Sequence, residues 1–294
     1  MALNLTLLRS FHAVAQSGSV SRAAQSAFIS QPALSKAIKE LERQLGTVLL
    51  ERGSRGVTLT EAGQVLFDYS KAIFALEQEA EDALGALGHL ERGTLRIGAS
   101  TTVATTVLPP VLAQFRALHP GLRFSLVRDN SRGIEERLLD FALDVALVEG
   151  PPHTPHIEKR LWRDEALVAV CAPTHPLAAR ARVQLDDLKT CTWLVRERGS
   201  GTREVVEEAL KAFGLPPDDA LEITGSETLR QAVAANLGVA FVSSESAADQ
   251  IALGKLRVLP LDISLRRPFY LLRLPNRPLS AAARAFEKFL LLDS

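Results

Sequence analysis

The chain has 294 residues, of which 47% are hydrophobic and 23% are charged, a composition that excludes a disordered protein and leaves room for two or three globular domains. Its 34 basic and 34 acidic residues cancel, so the net charge of the whole chain gives no sign of a nucleic-acid partner. No apolar run is long enough to cross a membrane.

Three short helices are predicted in the first 45 residues. Apolar residues at helical spacing predict a helix over 5–17, which Gly18 ends, and a second over 20–27. Ser30 is a good N-cap for a third helix, and Pro32 suits its first turn, where a missing N–H costs nothing. Gly46 is predicted to end this helix. The third helix has a predicted buried face, formed by Leu34, Ile38, Leu41 and Leu45.

The other face of the third helix is polar and carries Gln31, Ser35, Lys36 and Lys39. This is the layout of a helix-turn-helix, in which the exposed N-terminal part of the second helix enters the major groove of DNA. All-α domains that bind no DNA can share the layout, so the local charge matters. Residues 1–58 hold seven basic and three acidic residues, which is the surplus that phosphate contacts need.

Two short strands are predicted over 48–60, around a turn at 53–56. Arg52 and Arg55 lie beside this turn, where they would contact phosphate or, in the alternative, stay solvated on a surface hairpin.

A long helix is predicted to follow Thr60. Its apolar positions alternate spacings of four and three residues, which is typical of a coiled-coil seam that pairs with a second helix. These positions are Ala62, Leu66, Tyr69, Ile73, Leu76, Ala80, Ala83, Leu87 and Leu90. The alternative is a long helix packed on its own domain.

The N-terminal residues resemble the winged helix-turn-helix of the LysR-type transcriptional regulators. The resemblance is carried by Ser30-Gln31-Pro32-Ala33-Leu34-Ser35, Ile38, Leu41-Glu42, Leu45-Gly46, Leu50-Glu51-Arg52 and Leu59-Thr60-Glu61-Ala62-Gly63, with Leu50 where the family usually has Phe. It implies DNA contacts by Ser30, Gln31, Pro32, Ser35, Lys36, Lys39, Arg52 and Arg55. It also implies a bacterial regulator that forms homodimers through the long helix, and homotetramers from two dimers.

From Gly93 onward, predicted strands alternate with predicted helices, a pattern that favours a parallel sheet with helices on both faces. The resemblance implies that this region is a two-lobed α/β effector domain built like the periplasmic solute-binding proteins. We therefore predict an α+β multi-domain chain: a winged helix-turn-helix over 1–60, a linker and dimerisation helix over 61–92, and an effector domain over 93–294. Lobe I would comprise 94–163 and 268–294, and lobe II 164–267.

Polar residues follow three predicted strands of this region, where open α/β sheets bind ligands. They are Ser100, Thr101 and Thr102 in lobe I, and Ser200, Gly201, Thr202 and Ser226 in lobe II. Each group begins a helix, whose free N–H groups favour an anion. Ordinary N-capping without any ligand is the alternative. Two such groups facing each other, as the resemblance implies, favour a small anionic effector.

Nothing in the sequence indicates an enzyme, a cofactor or a metal site. A phosphate-loop motif and a Gly-x-Gly-x-x-Gly motif are absent, and His153 and His156 flank Pro155 with no third ligand evident. The N-terminus lacks a signal-peptide profile, so we expect a cytoplasmic protein with Cys171 and Cys191 as free, structural thiols. The expected function is a DNA-binding regulator; the alternatives are a solute-binding protein without a role in gene control and an α/β metabolic enzyme with an added helical domain.

Overall fold

The computed structural model describes residues 3–53, 56–85, 93–215, 220–275 and 277–292. The chain forms two compact units, Met1–Glu81 and Asp82–Ser294. Arg55 and the predicted seam positions Leu87 and Leu90 lie outside what is described, as do the side chains of Arg52 and of the seam position Ala83. In the described part of the chain, no helix is both long enough and apolar enough to cross a membrane.

Among the described residues, four helices and one hairpin form the first unit, and the last helix continues a few residues beyond it. In chain order they are α1 (Leu5–Ser17), α2 (Val20–Ser26), α3 (Gln31–Leu45), β1 (Leu50–Gly53), β2 (Gly56–Leu59) and α4 (Glu61–Gly85). The capping residues act as predicted, because the Ser30 hydroxyl accepts the N–H of Ala33 (3.3 Å) at the start of α3 and Gly46 ends it with a φ of 67°. Leu34, Ile38 and Leu41 are buried as predicted, whereas Leu45 is exposed.

Helix α4 packs on α1 through one face. His12 donates to or accepts from the Ser70 hydroxyl (2.7 Å), and its ring contacts the rings of Phe67 and Phe74. Of the predicted seam, Leu66 and Ile73 are partly buried against the core of this unit, so the alternative of packing within the domain holds for them. Tyr69 and Leu76 are exposed.

The second unit contains nine strands and six helices in the described ranges. The strands are β3 (Gly93–Ser100), β4 (Leu122–Asp129), β5 (Val145–Glu149), β6 (Glu158–Cys171), β7 (Leu194–Arg196), β8 (Leu221–Ile223), β9 (Ala240–Ser243), β10 (Arg257–Val258) and β11 (Leu265–Arg273). The helices are α5 (Leu108–Leu118), α6 (Ser131–Leu139), α7 (Gly201–Ala212), α8 (Ser226–Ala234), α9 (Ser244–Ala252) and α10 (Ala281–Leu292).

The sheet of this unit is mixed, so the expectation of a parallel sheet is only partly correct. Strands β4, β3 and β5 are parallel neighbours, but β11 pairs antiparallel with β5 and β6, and β9 and β10 pair antiparallel with β6. The apolar pattern predicts a strand only over 165–171, the second half of β6. Its first half, from Glu158 to Arg163, escaped notice because it is mostly exposed and charged and so lacks apolar alternation.

Strands β6 and β11 run through both lobes. Trp162 and Phe269 belong to a core that also contains β3, β5 and α10, while Leu167 packs in a second core with Trp193 and Phe241. The two lobes therefore meet where these long strands pass from one core to the other.

Candidate functional site

A small cavity lies between the lobes, with a volume of about 10 Å³, which is room for about one water molecule. Its lining combines arginines and hydroxyl groups with a few apolar side chains: Thr102, Arg196, Thr202, Ser226, Leu229, Arg230, Phe241, Val242, Ser243, Ser246 and Arg267. Three of the seven predicted effector residues, Thr102, Thr202 and Ser226, thus meet at one cavity.

Arg267, from β11, is fully buried and pairs with two buried carboxylates. Its guanidinium lies 3.1 Å from Glu149 of β5 and also binds Glu165 of β6 and the hydroxyl of Thr202. Burial alone raises the pKa of Glu149, but the charge of Arg267 and the hydrogen bonds from Thr202 and Thr102 outweigh burial and lower it. Glu149 therefore stays ionised, as a buried carboxylate with several donors should.

Two of the donors that the sequence assigned to a ligand, from Thr102 and Thr202, bind Glu149. Its carboxylate accepts the backbone N–H of Thr102 (2.8 Å) and the hydroxyl of Thr202 (2.7 Å), while its own N–H donates to the hydroxyl of Ser100 (3.2 Å). The hydroxyl of Thr101 donates to the carbonyl of Asp129 (3.3 Å). These groups are thus organised around an internal carboxylate next to the cavity.

Two further arginines line the cavity. Each is paired with a carboxylate that does not itself line the cavity. Arg196 forms a two-point ion pair with Glu197 (2.7 and 2.8 Å), and Arg230 binds Glu227 together with the hydroxyl of Ser246 (2.9 Å). Both guanidinium groups are therefore held in place at the cavity wall by their carboxylate partners.

Two buried polar atoms beside this site have no hydrogen-bond partner among the described residues: Nε of Arg267 and the hydroxyl of Ser200. Leaving a buried donor unmatched costs free energy unless a ligand or water satisfies it.

The lobes touch through two glycines at the edge of the site. Gly150 follows Glu149 with a φ of 74°, and a Cβ on Gly201 would lie 1.7 Å from the carbonyl oxygen of Glu149. The hydroxyl of Ser131 links the two sides, since it donates to the carbonyl of Glu149 (3.0 Å) and accepts the N–H of Gly201 (3.3 Å). Only glycine at 201 permits this contact.

Sequence reasoning missed the arginines and their carboxylates. A signal existed for two of them, because Glu149 and Arg196 end strands that are otherwise apolar, and a charge at a buried position needs a partner. No pattern in the sequence around Arg267 identified it, because its partners are distant along the chain. Glu165, for example, is 102 residues away.

The other predicted surface is the start of α3. Ser30, Gln31, Pro32, Lys36 and Lys39 are exposed, and Ser35 is half-buried. The chain has no acidic residue before Glu40, so this surface faces solvent without a nearby carboxylate from the preceding sequence.

The two cysteines are poor nucleophiles. Burial and, to a smaller extent, the charge of neighbouring Cys191 raise the pKa of the Cys171 thiol to about 11. Burial and Asp187 also raise the pKa of Cys191, which donates weakly to the carbonyl of Asp187 (3.6 Å). Both thiols stay protonated near neutral pH.

His153 links the lobes through two carboxylates. Its Nδ1 lies 3.2 Å from Glu135 of α6 and its Nε2 lies 2.6 Å from Glu204 of α7. Partial burial lowers the pKa of His153. The two carboxylates outweigh burial, because they accept hydrogen bonds from the ring and carry negative charge, and the net effect is a raised pKa. Among the residues whose positions are given, no group of three His, Cys, Asp or Glu side chains could hold a metal ion.

We expect His153→Gln to destabilise the protein more at pH 6 than at pH 9. The pKa of His153 is raised in the folded state. Its contribution to the free energy of unfolding is therefore complete below the unfolded-state pKa of about 6.5 and is lost as the pH rises through the folded-state pKa. The measurement is the melting temperature of both proteins at pH 6, 7.5 and 9. His156→Gln, on the same loop, is the control. A difference that does not change with pH would contradict the prediction.

Comparisons with known proteins cover both units. Residues 5–64 match the family model described as bacterial regulatory helix-turn-helix protein, lysR family, and residues 88–292 match the LysR substrate binding domain. The RuBisCO operon transcriptional regulator of Allochromatium vinosum is 35% identical over 100% of this chain and 97% of its own length.

Solved structures agree with this match. Full-length OxyR from Pseudomonas aeruginosa superposes with a TM-score of 0.75 at 25% identity, covering 99% of this chain and 94% of that one. The regulatory domain of CcmR from Synechocystis, solved in complex with 2-PG, superposes with a TM-score of 0.62 at 27% identity, covering 69% of this chain and 97% of that one. The curated relatives are named as transcriptional regulators and not as enzymes.

Proposed function

The chain belongs to the LysR family of transcriptional regulators, and we propose that a compact anion bound between its lobes controls how it acts on double-stranded DNA. The observation that supports the anion is the cavity lined by Arg196, Arg230 and Arg267. The carboxylates that hold these arginines do not line the cavity, so the polar groups that do are guanidinium and hydroxyl groups. CcmR, a structural neighbour, was solved with 2-PG.

The experiment that tests the anion is a thermal-shift screen with sulfate, phosphate, small carboxylates, 2-PG and neutral sugars. We expect only compact anions to raise the melting temperature of the wild type. Arg230→Gln should remove most of that shift, because Arg230 lines the cavity. Arg203→Gln is the matched control, since Arg203 is similarly buried and paired with two glutamates but does not line the cavity. Stabilisation by neutral compounds alone, or equal responses of both variants, would refute the anion site.

We also propose as effector contacts the residues predicted from the sequence, of which three line the cavity: Ser100, Thr101, Thr102, Ser200, Gly201, Thr202 and Ser226, with Thr102, Thr202 and Ser226 in the lining. The three arginines extend this set. The unmatched Ser200 hydroxyl and the unmatched Arg267 Nε support it, because an anion would accept both.

For DNA, we propose contacts by Ser30, Gln31, Pro32, Ser35, Lys36 and Lys39 of α3 and by Arg52 and Arg55 of the hairpin. Gln31→Ala with Ser35→Ala should weaken binding to the specific site by about 1–3 kcal/mol for each base that is no longer contacted, with the fold unchanged. Fluorescence anisotropy with specific and scrambled duplexes measures this effect. Lys39→Ala is the comparison, because removing a phosphate partner weakens binding to all duplexes alike and reduces the salt dependence. Unchanged specific affinity of the double variant would rule out this assignment.

The exposed part of the α4 seam supports a homodimer, and two dimers would form a homotetramer. We also propose the domain division 1–60, 61–92 and 93–294, with lobe I over 94–163 and 268–294 and lobe II over 164–267; the separate cores of the lobes support it. A regulator that acts on bacterial DNA works in the cytoplasm, which is the location we propose.

A further inference from the structure

Phe28 lies in the turn between α2 and α3 and is 95% exposed. We infer that it is a specificity residue of the DNA interface, which contacts the C5-methyl group of a thymine in the major groove beside α3. This inference rests on the proposed DNA-binding function and assigns a role to a residue outside the predicted contact set.

The backbone at Phe28 is strained. Its φ of 55° places it in the left-handed region, where a bulky residue is unusual and where glycine or asparagine normally ends a helix. Two backbone hydrogen bonds hold this turn, from Phe28 N–H to Gln25 (3.2 Å) and from Ile29 N–H to Ala24 (3.1 Å). Glycine would thus be more stable than phenylalanine at this position. The exposed side chain of Phe28 makes no packing contact that would offset the strain.

The position of Phe28 places it beside the end of α3 that is proposed to read DNA. It stands two residues before Ser30, which caps that end, and every residue from Gln25 to Ala33 is exposed. In a helix-turn-helix, the N-terminal end of the second helix approaches the base edges. The chain around this turn carries Arg22, Lys36 and Lys39 and no acidic residue before Glu40, so its charge complements the phosphates that flank the groove.

The chemistry of Phe28 selects its partner on the DNA. A phenyl ring offers no hydrogen bond to a phosphate or to a polar base edge. The apolar group that the major groove presents is the thymine methyl, which phenylalanine contacts in direct readout. Phe28 would therefore favour thymine at one position and add selectivity to the polar contacts of α3.

The test begins with selection of random duplexes by the full-length wild type, which yields a consensus. Each thymine of the consensus is then replaced by deoxyuridine, which lacks only the methyl group. We expect Phe28→Ala to bind the consensus about tenfold more weakly, the fold-change of roughly one such contact. We further expect one thymine at which deoxyuridine weakens the wild type several-fold but leaves Phe28→Ala unchanged.

Two further variants separate this role from a structural one. Phe28→Gly should lose the same affinity while melting at an equal or higher temperature, because glycine relieves the backbone strain. Leu253→Ala is the matched control, since Leu253 is 71% exposed but lies in the second unit, and it should bind as the wild type does.

The outcomes distinguish this inference from the proposed function. If the wild type enriches no consensus, the proposed DNA-binding function fails. If the wild type enriches one and Phe28→Ala binds it equally well, or responds to every deoxyuridine as the wild type does, only the role of Phe28 fails. A smaller species in sedimentation of Phe28→Ala would also overturn the inference, because Phe28 would then contact a second copy of the chain.

Discussion

Arg267→Met is expected to lower the free energy of unfolding by about 3–5 kcal/mol, because removing one partner of a buried ion pair leaves the other charge unmatched. Here two carboxylates, Glu149 and Glu165, would lose their shared cation, and both are buried. Urea denaturation of the full-length protein, followed by circular dichroism, measures the difference.

Arg273→Met is the matched control for this prediction. Arg273 lies on the same strand and also pairs with two glutamates, but its side chain is partly exposed, so its removal should cost less than about 1 kcal/mol. Adding Glu149→Gln and Glu165→Gln to Arg267→Met should recover much of the stability, since the unmatched charges are then gone. Equal effects of the two arginine variants would show that burial does not determine the cost.

Tyr69→Glu combined with Leu76→Glu is expected to convert the assembled protein to a smaller species and to weaken specific DNA binding by about 10²–10⁴-fold, the usual gain from linking two binding sites. Both side chains are exposed within their own unit, so the change should leave the fold of one chain intact. A charge placed in a helix–helix seam would be desolvated without a partner.

Analytical ultracentrifugation and a DNA-binding titration test this prediction together. Leu253→Glu, which introduces a charge at an exposed apolar position outside α4, controls for the added charge. A wild type that sediments as a monomer at micromolar concentration, or a double variant that sediments as the wild type does, would contradict a seam on α4.

The elements that the sequence predicted well are those whose signals are local. The cap at Ser30, the glycine at 46 and the apolar positions Leu34, Ile38 and Leu41 are all within one helix and its ends, and the structure confirms them. The first half of β6 was missed because pairing with β11, a contact between distant segments, makes it a strand despite its charged residues.

The candidate site was predictable only in part, for the same reason. Thr102 and Thr202 were recognised as polar groups at helix starts, and they do meet at one cavity. Their hydrogen bonds to Glu149, however, depend on how β5 and α7 come together in space. The spacing of residues along the chain does not predict that β5 and α7 come together. It also does not predict that Arg267 lies beside them.

The glycine contact between the lobes limits how they can move. With Gly201 pressed against the carbonyl of Glu149, the lobes cannot approach each other further at that edge. If the lobes close further elsewhere, they must pivot about this contact, and the parts of lobe II farthest from it would travel farthest. Under the proposed function, an anion that shifts the cavity walls slightly would thus displace the outer surface of lobe II by a larger distance.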